Sequence, residues 1–231
     1  MTTVAVMQPY LWPYAGYYRL LAASDVFVVY DCVQFIRRGR IHRNEFEAAG
    51  GNDWFTLPLA KPGFNDRIDA VRLAADTESE FTARLRAFPR LARSFTTIAA
   101  FAAGDGGLLA RAGMPLVDFL VAHLALAARW LGLQCRIVRS STLALPDELR
   151  GEQRILAICD ALHAREYINV DGGRALYQPE TFARRGVALR FLAPYRGAMT
   201  SVQERLAEEP AGLDVRAREV RAEIDTNLVF Q

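Results

Sequence analysis

Four polar side chains stand where this sequence passes from apolar runs into turns. Asp31 closes the run Val26 to Tyr30, Gln34 and Asn44 flank a basic stretch, and Lys61 follows Leu57-Pro58-Leu59-Ala60. Residues 32 to 44 hold four arginines, one histidine and two amides in thirteen positions. Arginine forks such as Arg37 and Arg43 match phosphate or carboxylate, and the amides of Gln34 and Asn44 both donate and accept. A solvated basic loop accounts for that composition equally well. Lys61 is the single lysine among 28 basic residues. An ammonium is compact and can lose its proton when desolvated, which a guanidinium cannot, so a lone lysine in an arginine-biased chain is a candidate for a role that needs the amine.

The elements that position these groups begin at the N-terminus. Val4 to Met7 reads as a short buried strand. Pro9 and Pro13 follow, interleaved with Tyr10, Trp12 and Tyr14, and two residues without a backbone N–H exclude strand or helix interior. The segment must be a stiff turn, with Gly16 allowing close approach before a helix starts near Tyr17. With the strand from Val26 and Asp31 at its end, this is a β-α-β unit. Its loop lies at the carboxyl edge of the sheet, where open α/β sheets bind ligands.

Further along, Trp54 to Leu59 reads as a strand limited by Pro58, and Ile68 to Leu73 as a second short strand. Glu78 to Ile98 is helical and broken by Pro89, and Pro115 opens a long helix that Gly132 ends. His123 borders the apolar stripe of that helix and reads as a packed core histidine. The glycine-rich loop Gly104 to Gly107 follows a helix-like stretch rather than a strand, which argues against phosphate cradling. Cys135 to Val138 is a strand ending in Ser140-Ser141-Thr142, hydroxyls able to cap a helix or bind an anion. Glu152 to His163 is an amphipathic helix. Tyr167 to Val170 is a strand leading into Asp171-Gly172-Gly173-Arg174, Pro179 to Arg185 a helical turn, and Val187 to Leu192 the last strand. Strands alternating with helices predict a doubly wound, mostly parallel α/β sheet. It would form one domain over residues 1–199, with an insertion at about 45–113 and a helical C-terminal extension over 200–231 that packs on the domain or meets a partner. The terminal Asn227 to Gln231 resembles the scar of a cleaved tag.

The 231 residues carry a formal net charge of +2 and are 52% hydrophobic, which makes no electrostatic case for nucleic acid or a membrane surface and excludes disorder. Leu116 to Leu133 is apolar but contains Asp118, His123 and Arg129, so it reads as a core helix and not a membrane span. No basic region leads into an apolar run at the N-terminus. The three cysteines, Cys32, Cys135 and Cys159, are far apart and read as reduced thiols of a cytoplasmic protein. No Cys/His grouping has metal-ligand spacing, so no structural metal is expected.

Met7 to Tyr10, Pro13, Tyr14, Gly16 and Tyr17, followed by Tyr30, Asp31, Val33, Gln34, Phe35, Arg38, Gly39, Arg43 and Asn44, resemble the two opening motifs of the WbqC-like family. Weaker matches continue through Ser140-Ser141, Glu152 with Arg154, Tyr167 to Asn169, Gly172-Gly173 and Tyr177, to about Pro194. Two positions depart from the pattern: Cys32 stands where an acid is frequent, and Arg40 where a tryptophan is common. A more distant likeness is to nucleotidyltransferases, whose loop after the first strand carries two histidines; Pro13 to Tyr17 has neither. That likeness extends to the Rossmann-like fold and not to adenylyl transfer.

The resemblance implies a transferase that acylates an amine, for example attaching glycine to a nucleotide-linked aminosugar in surface polysaccharide biosynthesis. Such transfer needs a base for the attacking amine and donors for the carbonyl oxyanion. Asp31 is the expected base, Gln34 and Asn44 the expected donors, and Lys61 a phosphate or carboxylate ligand or an acid. Arg37 and Arg43 are expected on a diphosphate. The remaining substrate contacts are expected from Gln8, Tyr10, Pro13, Gly16, Tyr17, Ser140, Ser141, Asn169, Gly172, Gly173 and Tyr177. No tightly bound cofactor is expected; the donor would be an acyl thioester, an acyl or peptidyl carrier protein, or an aminoacyl-tRNA. The alternative is a non-catalytic protein that binds a nucleotide-sugar or a carrier.

Overall fold

Val4 and Val6 face one side of the first strand and Ala5 the other, and both sides are buried. A strand covered on both faces belongs inside a parallel sheet. In the computed structural model, which describes residues 1–101, 108–207 and 210–231, that strand is the centre of the fold. The strands in chain order are β1 (Thr2–Met7), β2 (Val26–Val29), β3 (Arg43–Ala48), β4 (Gly51–Thr56), β5 (Arg136–Arg139), β6 (Ala164–Val170) and β7 (Ala188–Leu192). Five of them form one sheet in the order β5-β2-β1-β6-β7, every pair parallel. The helices are α1 (Ala15–Ala22), α2 (Thr77–Leu85), α3 (Pro89–Phe101), α4 (Leu116–Trp130), α5 (Gly151–Ala161), α6 (Pro179–Arg184), α7 (Val202–Leu206) and α8 (Leu213–Thr226).

Residues of α1, α4, α7 and α8 pack with Ala5, Phe27 and Val29 on one face of the sheet. Residues of α5 and α6 pack with Val4, Val6, Val26 and Val28 on the other. The sheet is therefore doubly wound. The chain builds outward from β1 through β2 to β5, then returns to lay β6 on the opposite side of β1. Strand order reverses between β1 and β6, and the crevice there is where such sheets take ligands. Among the described residues no helix is long and apolar enough to cross a membrane.

The insertion departs from expectation in three places. Ile68 to Leu73 is not a strand but a 3-10 turn at Ile68–Ala70 followed by single bridges, Leu59 to Leu73 and Arg72 to Pro115. Its backbone donors go to loops, Ile68 to Val33 O at 2.9 Å and Asp69 to Asp31 O at 3.0 Å. The basic loop ends earlier than Asn44. Arg43 starts β3, in which buried Asn44 and Phe46 alternate with exposed Glu45 and Glu47, and β3 pairs antiparallel with β4. The strand expected at Trp54 to Leu59 is β4, which ends at Thr56, two residues before Pro58. Gly104 to Gly107 lies outside the described residues.

The insertion has its own apolar cluster, in which Phe46, Phe55, Phe81 and Phe88 surround Trp12 of the N-terminal loop and Phe119 of α4. His42 borders it, 7% exposed, its ring 5.1 Å from that of Phe35. Burial, and then the neighbouring Arg43, push the imidazole down to about 4. The folded value lies below the unfolded one, so the unfolded chain takes up the proton first. The contribution of neutral His42 is complete above about pH 6.5 and is lost as pH falls toward 4, by roughly 1.4 kcal/mol per pH unit. The stability of His42→Phe minus that of the wild type, followed by urea melts from pH 7.5 to 4, is expected to rise along that slope; a difference independent of pH would contradict it.

The C-terminal stretch is part of the core. Val202 N–H bonds Pro13 O at 2.9 Å, and the Gln203 amide bonds Tyr18 OH at 2.9 Å and His123 O at 3.1 Å. Leu206, Val220 and Ile224 lie in the α1/α4 cluster. Asn227 to Gln231 runs beside β7: Phe230 bridges Leu192, Ala193 N–H bonds Val229 O, and Gln231 N–H bonds Phe191 O.

Candidate functional site

The loop after β1 is held in an unusual shape. Trp12 has φ +47°, a left-handed conformation that a bulky side chain adopts only when its surroundings enforce it. Here the indole is 1% exposed and its Nε1–H donates to His123 Nδ1 at 3.0 Å. Since Nδ1 accepts, the His123 proton sits on Nε2, which donates to Leu108 O at 3.0 Å. His123 is thus the packed core histidine expected. Asn44 secures the loop from the other side, its Nδ2 donating to Leu11 O at 3.1 Å and Trp12 O at 3.2 Å. Its Oδ1 accepts from Tyr10 OH, Arg40 Nη1 and Glu45 N–H. Gly16 is required where α1 begins: a Cβ there would lie 2.2 Å from the Tyr14 ring and 2.7 Å from that of Tyr195.

Asp31 has the same kind of commitment. It is 0% exposed. Its carboxylate accepts from Arg139 Nε at 2.8 Å, Ser140 Oγ at 2.9 Å, Ser141 N–H at 2.8 Å and Ser141 Oγ at 2.7 Å. Arg139 also reaches Asp118, in the first turn of α4, at 2.6 Å. The network ties the ends of β2 and β5 to α4. Four donors fill the acceptor capacity of a carboxylate. A general base needs an open lone pair facing the substrate, so this geometry assigns Asp31, Ser140 and Ser141 to shaping the edge rather than to chemistry on it.

At the β1/β6 reversal two cavities meet. One, of about 400 Å³, is lined by Tyr30, Glu152, Asn169, Gly172, Gly173 and Tyr177 among others. The second, of about 270 Å³, is lined by Tyr10, Tyr14, Gly16, Tyr17 and Arg40 among others. Met7, Gln8 and Val170 line both. Among the described residues the Gln8 side chain has no hydrogen-bond partner, while its carbonyl accepts from Tyr17 OH at 2.8 Å. An uncommitted amide at a strand-order reversal is free to bind a ligand. Asn169 is committed: its Nδ2 donates to Tyr167 OH at 3.1 Å and Tyr177 OH at 3.2 Å, which fixes Tyr177 on the cavity wall. Gly173 allows that packing, since a Cβ there would be 2.8 Å from Asn169 Nδ2.

Glu152 is the one carboxylate on the wall of the larger cavity. Its Oε2 accepts from Gln178 N–H at 2.6 Å, and the other oxygen has no partner among the described residues. The Tyr30 hydroxyl has no partner among the described residues either, its backbone N–H donating to Met7 O at 2.8 Å. Burial pushes its phenol up to about 12, outweighing Arg154 and Arg150, which pull it down; at neutral pH it is a neutral donor.

The structure thus brings Gln8, Tyr10, Gly16, Tyr17, Asn169, Gly172, Gly173 and Tyr177 together at the crevice. Asn44 lies behind Tyr10, and Gln34 lines a third cavity at the end of β2 and bonds Phe64 O at 3.0 Å. Pro13 is in the loop core, its carbonyl bonded to Val202. Arg37 bonds Pro62 O, and Arg43 bonds Gly39 O and stacks over Trp54, its guanidinium 4.2 Å from the ring centroid; neither lines the crevice. Sequence reasoning gave no role to Glu152, Tyr30 or Arg40, although the first two stand in the motifs quoted above and Arg40 was noted only as a departure.

Lys61 is exposed on the 61–67 loop and lines neither cavity of the crevice. The position expected for an amine serving in the site is not the one Lys61 takes relative to this crevice. Lys61→Arg is therefore expected to keep the melting temperature within a degree or two and to leave ligand affinity unchanged, as exposed charge substitutions do. A tenfold loss of affinity in that variant, by calorimetry, would return Lys61 to the site.

A family model, the WbqC-like protein family, matches residues 8–200. "Uncharacterized protein Rv1507c" of Mycobacterium tuberculosis (strain ATCC 25618 / H37Rv) is 25% identical over 184 residues, covering 79% of this chain and 78% of that protein. No solved structure matches. The family match takes in the loop after β1, the Asp31 network and both walls of the crevice, and the chain belongs to the WbqC-like protein family.

Proposed function

We propose that the protein is an N-acyl or aminoacyl transferase whose acceptor amine, such as that of a nucleotide-linked aminosugar, binds in the β1/β6 crevice. The observation that carries this is the larger of the two crevice cavities, lined by an open carboxylate oxygen and two uncommitted donors, from Glu152, Gln8 and Tyr30. Amide formation asks for that set. The amine attacks the donor's carbonyl carbon, a C–N bond forms, and the C–S or C–O bond to the leaving group breaks. Glu152 takes the proton the ammonium must lose, and the Tyr30 hydroxyl and Gln8 amide donate to the tetrahedral oxyanion. Asp31 and Asn44 act through position, Asp31 by holding the end of β2 and Asn44 by holding the loop that carries Tyr10.

The test is mass spectrometry of the purified chain with nucleotide-linked aminosugars and acyl-thioester or aminoacyl donors, beside thermal-shift binding of each. Gln8→Ala is expected to slow turnover about a hundredfold with an unchanged melt, the cost of removing one oxyanion donor. Glu152→Gln is expected to bind acceptor and not turn over. Binding without turnover of any donor would favour a non-catalytic nucleotide-sugar or carrier-binding protein, a reading supported by how fully Asp31 and Asn44 are committed within the fold.

A further inference from the structure

The third cavity, about 570 Å³, opens beside the crevice at the end of β2, and Tyr30 is a wall of both it and the larger crevice cavity. Three guanidinium groups, Arg67, Arg150 and Arg154, line it against one carboxylate, Asp147. Arg67 is already neutralised, by Asp69 at 2.6 Å and Asp147 at 2.9 Å. Arg150 is exposed and bonds only backbone carbonyls, those of Asp147 and Leu149.

Arg154 is the group the fold leaves unexplained. It is 4% exposed, yet no carboxylate pairs with it among the described residues. Its Nη1 donates to Pro146 O at 2.8 Å, and its Nε is buried with no acceptor among the described residues. A buried charge without a counter-ion is costly, and a fold keeps one where something else supplies the opposite charge. Arg154 lies in the first turn and a half of α5, an eleven-residue helix whose N-cap residue, Arg150, makes no side-chain capping bond. Glu152, the acid of that turn, is drawn toward Gln178 instead.

We infer that this cavity is an anion subsite, in which the Arg154 guanidinium, with Arg150, binds the phosphate or diphosphate of a small-molecule ligand. The inference deepens the proposed function and rests on it for the ligand's other end. With Tyr30 as the shared wall, a phosphorylated ligand spans both spaces, its anion on Arg154 and its reacting end beside Glu152 and Gln8. A guanidinium suits phosphate oxygens, and the two unneutralised arginines favour a diphosphate over a single charge.

Inorganic pyrophosphate is the probe, titrated into the whole chain labelled with ¹⁵N-arginine, with malonate as the carboxylate comparison. The Arg154 Nε–Hε resonance, identified by its absence in Arg154→Lys, is expected to shift on pyrophosphate addition and far less on malonate. By calorimetry Arg154→Met is expected to lose at least tenfold in pyrophosphate affinity and the exposed Arg150→Ala about threefold, both losses shrinking at high salt. If Arg154→Met fails to fold, the resonance shift and Arg150→Ala carry the test. An unmoved Arg154 resonance, an unchanged affinity in Arg150→Ala, or malonate binding as tightly as pyrophosphate overturns the assignment. Pyrophosphate binding in a protein that turns over no aminosugar sustains this subsite and removes the transferase reading. Turnover that Arg154→Met leaves intact does the reverse.

Discussion

Asp31→Ala is expected to cost roughly 3–5 kcal/mol of folding stability, the range for removing one partner of a buried charged network. The deletion leaves Arg139 Nε, Ser141 Oγ and Ser141 N–H without their acceptor and Ser140 Oγ with only Cys32 Sγ, and three of those four donors are side-chain groups fixed at the end of β5. Asp31→Asn separates this reading from the one in which Asp31 is a base. Asparagine has the same shape and cannot take a proton, so replacing a base would spare the fold and abolish turnover. In this network the new NH₂ must face a donor, either Arg139 and Ser141 Oγ on one side or Ser140 Oγ and Ser141 N–H on the other. Loss of stability in both variants, measured by urea titration, is the expected result; an Asp31→Asn protein as stable as the wild type would make the carboxylate a catalytic group after all.

Trp12→Ala is expected to be as damaging, by about 3–5 kcal/mol, through lost burial and the cavity left behind. The indole touches the rings of Phe46, Phe55, Phe81, Phe95, Phe119 and His123, with centroids 5.5–6.3 Å away. It also joins the N-terminal loop to the insertion and to α4, so its removal loosens three elements at once. His123 Nδ1 loses its donor as well. For a chain of this size that loss lowers the melting temperature by roughly 10 °C. Trp12→Phe restores most of the volume but not the hydrogen bond, and is expected to fall between the two. A Trp12→Ala melt within 2 °C of wild type would refute the account of the loop as an anchored structure.

Local residue patterns determined much of this fold. Two-sided apolar runs mark β1 and β2, because strands buried on both faces cannot alternate. Pro89, Pro115 and Gly132 mark helix ends, because a missing N–H and a positive φ act within one or two residues. The stiff loop after β1 was legible for the same reason. Tertiary structure alone decided which polar groups face the crevice. Asp31, Asn44, Ser140 and Ser141 look like active-site residues in sequence, since strand ends and polar turns are where such residues occur. Whether a carboxylate meets substrate or four donors from β5 depends on partners 108 to 110 residues away. Lys61 was singled out by composition, which carries no position. Glu152, Tyr30 and Arg154 passed as helix and strand residues because nothing local distinguishes an open oxygen or an unpaired Nε from a satisfied one. The C-terminal segment has a weak apolar stripe, and only its contacts with Pro13, Tyr18 and β7 make it core. Backbone propensity and apolar periodicity are properties of neighbours in sequence; an unsatisfied hydrogen bond is a property of neighbours in space.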